Sequence, residues 1–107
     1  LWGPPLDTPY DAPVVDSLVR AHRQVSGDEE ATAGTAGRYG SFGDAPILSA
    51  AGISSCTYGP GGGLSDLEHD YKVLNGEIEP DERISISDLI VNAKAMTLAA
   101  VDLCALD

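Results

Sequence analysis

Basic residues are scarce in this chain. Its 107 residues include 6 Lys and Arg against 17 Asp and Glu, which gives a formal net charge of −11 at pH 7. Nucleic acids and anionic membrane surfaces are bound through clusters of Lys and Arg, so we expect neither as a partner. The acidic excess has two interpretations: a solvated surface that keeps the protein in solution, or acids placed around metal ions.

Long apolar runs and closely spaced cysteines are also missing. No run approaches the length of about 20 residues that spans a bilayer, and no signal peptide is visible. Cys56 and Cys104 match no C-x-x-C pattern and lie in apolar runs, where a free cysteine behaves as a small buried hydrophobe. We therefore expect a cytoplasmic protein in a reducing compartment. The first residue is Leu1 rather than Met, which indicates processing or a fragment.

The first predicted helix follows an extended, proline-rich segment over residues 1–10. Asp11 is the expected N-cap, Pro13 occupies the first turn, and Gly27 is the expected C-cap. The apolar stripe of this helix consists of Val14, Val15, Leu18, Val19, His22 and Val25.

Two more helices are predicted further along the chain. A short one begins at Asp44 and is stopped by Gly52. A long one begins with a capping box of Ser85 and Asp88. Helical spacing of the long helix is kept by Ile86, Leu89, Ala93, Met96, Ala100 and Leu103.

Two strands are predicted between these helices. Residues 31–35 form a candidate strand of small residues, and residues 53–58 are rich in β-formers and bounded by glycines. The resulting order of elements indicates an α/β layered architecture.

The sequence contains neither a nucleotide-binding motif nor the nucleophile motif of a serine hydrolase. The glycine run at 59–63 is followed by Leu64, whereas a P-loop requires Lys-Ser or Lys-Thr. A nucleophile elbow at Ser41 requires a glycine where the chain has Tyr39. His22 lies on the apolar edge of its helix, and we interpret it as a packed, hydrogen-bonded histidine.

His69 is the one residue with metal-ligand character. It lies in a loop whose other members are Asp66, Glu68, Asp70, Glu77, Glu79, Asp81 and Glu82. A histidine among carboxylates suits zinc, cobalt or manganese. The alternative is a surface histidine in an acidic loop. A calcium loop fits poorly, because Tyr71 stands where the turn glycine belongs.

The order of several short motifs resembles the carboxy-terminal end of the zinc aminoacylase and carboxypeptidase family, which includes acetylornithine deacetylase and succinyl-diaminopimelate desuccinylase. The matching stretches are Gly40-Ser41-Phe42-Gly43-Asp44-Ala45, Ala51-Gly52-Ile53, Tyr58-Gly59-Pro60-Gly61 and the segment from Pro80 to Leu89. Residues 11–19 resemble the helix by which that family re-enters its catalytic domain. The resemblance covers nearly the whole chain.

The resemblance implies a layered zinc-peptidase-like fold with a mostly parallel central sheet and a long C-terminal helix. Residues 1–10 would come from a missing upstream region, and residues 11–107 would be the carboxy-terminal portion of the catalytic domain. Two divalent metal ions, zinc or else cobalt or manganese, would activate water against the amide bond of an N-acyl amino acid or a small peptide. A glutamate base and most metal ligands would lie outside this chain, so the chain alone is not expected to be active.

In this chain the resemblance implies a substrate-binding loop at Gly40, Ser41, Gly43 and Asp44 and a metal ligand at His69. The family's late histidine normally precedes the Pro-Asp-Glu element, where this chain has Ile78. Either an insertion over residues 71–79 has displaced the ligand to His69, or the ligand is lost and this member is inactive or altered.

The partners implied by the resemblance are the remainder of the catalytic domain, the substrate and, in the full protein, a second copy in a homodimer. A fragment of this kind should expose apolar surface that the remainder covers. The competing hypothesis is a self-contained, non-catalytic acidic interaction or metal-binding module, which should be a stable cooperative monomer.

Overall fold

The computed structural model describes residues 6–34, 43–60, 71–72, 74–77 and 84–105. Three helices have complete bounds in these ranges, α1 (Pro13–Ser26), α2 (Ala45–Ala50) and α3 (Ile86–Cys104), and residues 71, 72 and 74 are also helical. The described residues include no strand and no sheet. The predicted α/β layered architecture with a mostly parallel central sheet is therefore wrong, and the structure is helical.

Both predicted strands are wrong for the same physical reason. Residues 31–34 and 53–60 have no regular secondary structure, although residues 53–58 are rich in β-formers. Within the described ranges the only backbone hydrogen bond of the second segment runs from the Ile53 amide to the Leu48 carbonyl, over 3.0 Å. A strand is stabilised by a ladder of backbone hydrogen bonds to a neighbouring segment, and among the described residues neither segment makes such a ladder.

Helix α1 begins one residue later than the sequence predicts. Ala12, not Asp11, is the N-cap, and it makes no side-chain capping bond. Pro13 occupies the first turn as expected, where its missing N–H has no intrahelical partner to lose. The helix ends at Gly27, whose φ of +76° is the left-handed conformation that favours glycine, and its N–H donates to the Arg23 carbonyl over 2.9 Å.

Helices α2 and α3 match their predicted positions. Asp44 precedes α2, and its carbonyl rather than its carboxylate accepts the first bond, from the Leu48 amide over 3.0 Å. Ser85 caps α3, because its hydroxyl accepts a hydrogen bond from the Asp88 amide over 3.3 Å. No helix in the described ranges is long and apolar enough to cross a membrane.

Helices α1 and α3 pack against each other in antiparallel directions. Ser17 near the start of α1 bonds to Ala99 near the end of α3, whereas Val25 at the other end of α1 lies near Ala93. The buried cluster between the two helices consists of alanines, namely Ala21, Ala95 and Ala99, with Leu18 and Tyr58 packed against it. This seam buries small side chains, so the large apolar residues of α3 must lie elsewhere.

Candidate functional site

A polar network crosses the seam between α1 and α3. Ser17, only 2% exposed, donates its hydroxyl proton to the Asp102 carboxylate over 2.7 Å. Arg20 donates to the same carboxylate over 2.8 Å and to Asp16 over 2.9 Å. The Ser17 hydrogen bond and the charge of Arg20 lower the pKa of Asp102 below its ordinary value, and the two carboxylates raise the pKa of Arg20. The network fixes the position of α1 relative to α3 along their axes.

A histidine and a tyrosine join α1 to the extended segment over residues 53–60. His22 Nδ1 and the Tyr58 hydroxyl lie 2.9 Å apart, and their rings meet edge to face with centroids 5.9 Å apart at 76°. Both side chains are half-buried, and burial raises the pKa of Tyr58. The prediction of a packed, hydrogen-bonded histidine at position 22 is confirmed.

The same segment has a second attachment point. Thr8 donates its hydroxyl proton to the Ser55 carbonyl, and Ser55, itself buried, donates to the Ile53 carbonyl over 2.8 Å. Cys56, between the two attachment points, is partly buried, and burial raises the pKa of its thiol. The segment is therefore held by side chains and not by a strand ladder.

The predicted substrate-binding and metal-ligand residues fall largely outside the described ranges. Gly40, Ser41 and His69 lie outside them, so the structure does not bring them together with any other residue. Gly43 and Asp44 are described, and both are exposed at the start of α2. A side chain at position 43 would meet open space, so no close approach in this structure requires glycine there.

The described residues do not by themselves supply a metal centre. In these ranges no three His, Cys, Asp or Glu side chains converge as a ligand group. The two cysteines are free, and Cys104 is exposed, so the expectation that it is buried is wrong for this chain.

A further feature of the described surface is the side of α3 opposite its buried alanines. Residues about half a turn from Ala95 and Ala99 are all exposed. We call this surface the outer face of α3, and it consists of Ile86, Ile90, Ala100, Val101 and Cys104, with Ala93 and Thr97 at its edge, beside Val25 of α1. Ile86 is 77% exposed and Val101 65%, whereas Ala95 on the seam is 0% exposed. The helix thus buries its small residues and exposes its large ones.

The outer face is mainly apolar. Its members include no ionisable side chain other than the Cys104 thiol, but the exposed Lys94 lies on the same side of the helix, between Ile90 and Val101 by helical geometry. The Thr97 hydroxyl donates to the Ala93 carbonyl of its own helix over 2.8 Å, so covering it would leave no donor unsatisfied. The two acids of α3, Asp88 and Asp102, lie on the opposite side by helical geometry.

Sequence reasoning missed both the polar network and the outer face. The four-residue spacing of Asp16 and Arg20 was visible and is typical of an ion pair on a helix surface. The long final helix has few polar residues on any side, which is typical of a helix that is buried all round. The participation of Asp102 had no signal in the sequence, because 82 residues separate it from Arg20.

Comparisons with known proteins add no relatives. No family model matches the chain, and no curated protein or solved structure is significantly similar to it.

Proposed function

We propose that this chain is the carboxy-terminal segment of the catalytic domain of a metal-dependent hydrolase that cleaves the amide bonds of N-acyl amino acids or small peptides. The remainder of the domain would supply the catalytic base and most metal ligands. This chain would contribute the substrate-binding loop at Gly40, Ser41, Gly43 and Asp44 and one metal ligand, His69.

The observation that carries the proposal is the outer face of α3. Three large apolar residues on this side of the helix, Ile86, Ile90 and Val101, are exposed, and Lys94 lies between Ile90 and Val101. Contiguous apolar patches of this kind on soluble proteins mark surfaces that bind another protein or another part of the same one. A fragment of a larger domain is expected to have such a surface, whereas a self-contained module is expected to bury it.

The hydrolase part of the proposal rests on the order of the motifs. The chain carries in succession a Gly-x-x-Gly-Asp-Ala stretch, a short helix, Ala-Gly-Ile, Tyr-Gly-Pro-Gly, Pro-Asp-Glu and a long final helix. α2 and α3 lie where that order requires helices. When bound, the metal ions would lower the pKa of a water molecule and polarise the amide carbonyl.

The test is an assay of the complete protein for metal content and hydrolysis. The wild type should bind one or two divalent ions and hydrolyse some member of a panel of acetylated, succinylated and dipeptide substrates. His69→Ala should lower turnover by at least about a hundredfold and reduce the metal content. Gln24→Ala, an exposed change on α1, is the matched control and should alter neither.

Two other results would contradict the proposal in different ways. If His69→Ala keeps both its metal and its turnover, His69 is not a ligand. If the complete wild-type protein hydrolyses nothing on the panel and contains no metal, the hydrolase function is refuted. A metal-free chain of 107 residues that unfolds cooperatively as a monomer would favour the alternative, a self-contained acidic interaction module.

A further inference from the structure

The outer face of α3 and its edge contain apolar or small residues at alternating intervals of four and three. Such intervals place side chains along one side of a helix with a mean period of 3.5 residues, which is the spacing by which two helices pack side by side. The row runs from the first to the last residue of the helix and consists of Ile86, Ile90, Ala93, Thr97, Ala100 and Cys104. The spacing therefore fits another α-helix as the partner.

A second row of large apolar residues borders the first one. Leu89, Met96 and Leu103 recur every seven residues, and they are 48%, 51% and 44% exposed. Of the other described helices, α1 packs against the opposite side of α3, and α2 does not contact α3. The two rows together are wide enough to cover one side of a second helix.

The sizes of the residues in the first row favour a second copy of α3 in the antiparallel direction. The facing pairs, each of which occurs twice about a two-fold axis at the middle of the helix, would be Ile86 with Cys104, Ile90 with Ala100, and Ala93 with Thr97. Every pair joins a larger residue to a smaller one, so the two helices could keep a nearly constant separation without voids. Parallel copies would place isoleucine against isoleucine at one end and alanine against alanine further along.

We infer that the outer face of α3 binds the outer face of a second copy of this chain, with the two helices antiparallel. This inference goes beyond the proposed function and does not depend on it. The Thr97 hydroxyl already donates to the Ala93 carbonyl over 2.8 Å, so burial in the dimer leaves no donor unsatisfied at the centre of the interface.

Lys94 is the one charged residue beside the first row. In the antiparallel dimer the two copies of Lys94 lie on the same side of the interface, next to the two-fold axis. Their ammonium groups can extend into solvent, where the repulsion between them is screened by salt. Each copy also has a formal net charge of −11, which opposes association in the same way. Added salt should therefore strengthen the dimer.

The size of the interface indicates a weak dimer. A helix of 19 residues is roughly 28 Å long, so a single helix pair buries on the order of 800 Å² in total, less than the ~1,200–2,000 Å² of most stable interfaces. We expect a Kd of about 100 µM for the isolated chain, which is then monomeric at about 5 µM. The complete protein should form the same helix pair.

The first test is whether Ile86→Cys forms a disulfide with Cys104 of a second copy. Within one chain these positions lie roughly 27 Å apart, and a disulfide requires Cα atoms within about 7 Å, so such a bond can only join two copies. After mild oxidation of the complete protein at about 200 µM, the linked dimer should be at least about tenfold more abundant than for Asp88→Cys. Asp88→Cys is the matched control, on the opposite side of the same turn. Peptide mass spectrometry identifies the linked positions.

The second test exchanges a large and a small residue that face each other. Ile90→Ala leaves a void, and Ala100→Ile places isoleucine against isoleucine, so each should raise the Kd by about tenfold. The double variant again has one large and one small residue in each pair, so its Kd should lie within about threefold of the wild type. Sedimentation velocity over about 5 to 500 µM measures the Kd, and Gln24→Ala on α1 is the control.

Three results would overturn the inference. In the first, Ile86→Cys links no more than Asp88→Cys; in the second, the double variant associates more weakly than both single variants. In the third, the complete protein stays monomeric although Ala100→Leu destabilises it, which would show that another part of the same protein covers the face and would leave the proposed function standing. An antiparallel dimer that contains no metal and hydrolyses nothing would support the inference and refute the proposed function.

Discussion

Replacement of Ala95 by leucine is the sharpest test of the helix seam. Ala95 is 0% exposed and lies against Ala21 and Ala99 between α1 and α3. Leucine adds three carbon atoms at a place where the two helices are separated only by methyl groups. The helices must move apart, or the new side chain must adopt a strained rotamer.

The expected cost follows from the packing. Extra methylene groups in a packed core typically cost about 1–3 kcal/mol, and the difference in helix propensity between alanine and leucine adds only a few tenths of a kcal/mol. Separation of the helices would also weaken the bond from Ser17 to the Ala99 carbonyl, which is already 3.4 Å long. We therefore expect Ala95→Leu to lower the free energy of unfolding by about 2 kcal/mol.

Ala100→Leu is the matched control, because it makes the same change in the same helix on the outer face. In the isolated chain, urea unfolding followed by circular dichroism should show a midpoint lowered by roughly 1 M for Ala95→Leu and unchanged for Ala100→Leu. If the complete protein covers the outer face, as the proposed function requires, both variants should be destabilised there. If Ala95→Leu leaves the midpoint of the isolated chain unchanged, the seam is not close-packed. If Ala100→Leu is neutral in the complete protein, the outer face is open and the main support for the proposed function is lost.

Two further predictions concern polar groups near the seam. The folded-state pKa of Asp102 is lowered by Ser17 and Arg20, so ionised Asp102 contributes stability above its ordinary pKa of 3.8, and this contribution is lost as pH falls through the lowered value. Urea midpoints measured from about pH 6 to about pH 2 should therefore fall less steeply for Asp102→Asn than for the wild type, and parallel curves would show that the network is not formed. Asn92 has a buried carbonyl oxygen with no hydrogen-bond partner among the described residues, so Asn92→Leu should raise the free energy of unfolding by about 1 kcal/mol. A loss of stability or of activity in the complete protein would show instead that this amide bonds to a group outside the described ranges.

The helices were the predictable part of the fold, because their signals are local. Pro13 and Gly27 bracket α1, and Ser85 with Asp88 starts α3, at the positions that capping chemistry requires. The N-cap of α1 was predicted one residue early, since Asp11 is the better capping residue by type but Ala12 has the extended backbone that precedes the helix.

The strands were wrongly predicted because a strand depends on hydrogen bonds to a neighbouring segment, and the local sequence does not specify that neighbour. Residues 53–58 have the composition of a buried strand, but they have no regular secondary structure. A ladder needs a row of backbone hydrogen bonds to a second segment, and within the described ranges residues 53–58 make no such row. The same composition without a neighbour gives a segment that side chains such as Thr8 and His22 hold in place.

Less of the candidate site than of the fold could be predicted from the sequence. The histidine at position 22 was correctly interpreted as hydrogen-bonded, because a histidine on the edge of an apolar stripe usually has a partner. Its partner, Tyr58, is 36 residues away and could not be read from spacing. The roles of Gly40, Ser41, Gly43, Asp44 and His69 remain predictions that follow from the resemblance alone.

The sequence by itself determined the acidic charge, the bounds of the helices within a residue or so, and the largely apolar character of α3, because composition, caps and periodicity act over a few residues. Only the tertiary structure decided which side of α3 is buried. The small residues Ala95 and Ala99 face α1 because their size lets the helices approach and brings Asp102 within reach of Ser17 and Arg20. The larger residues are thereby turned outward. A helix that is apolar on nearly every side has no preferred side in sequence, so its neighbours determine which side is buried.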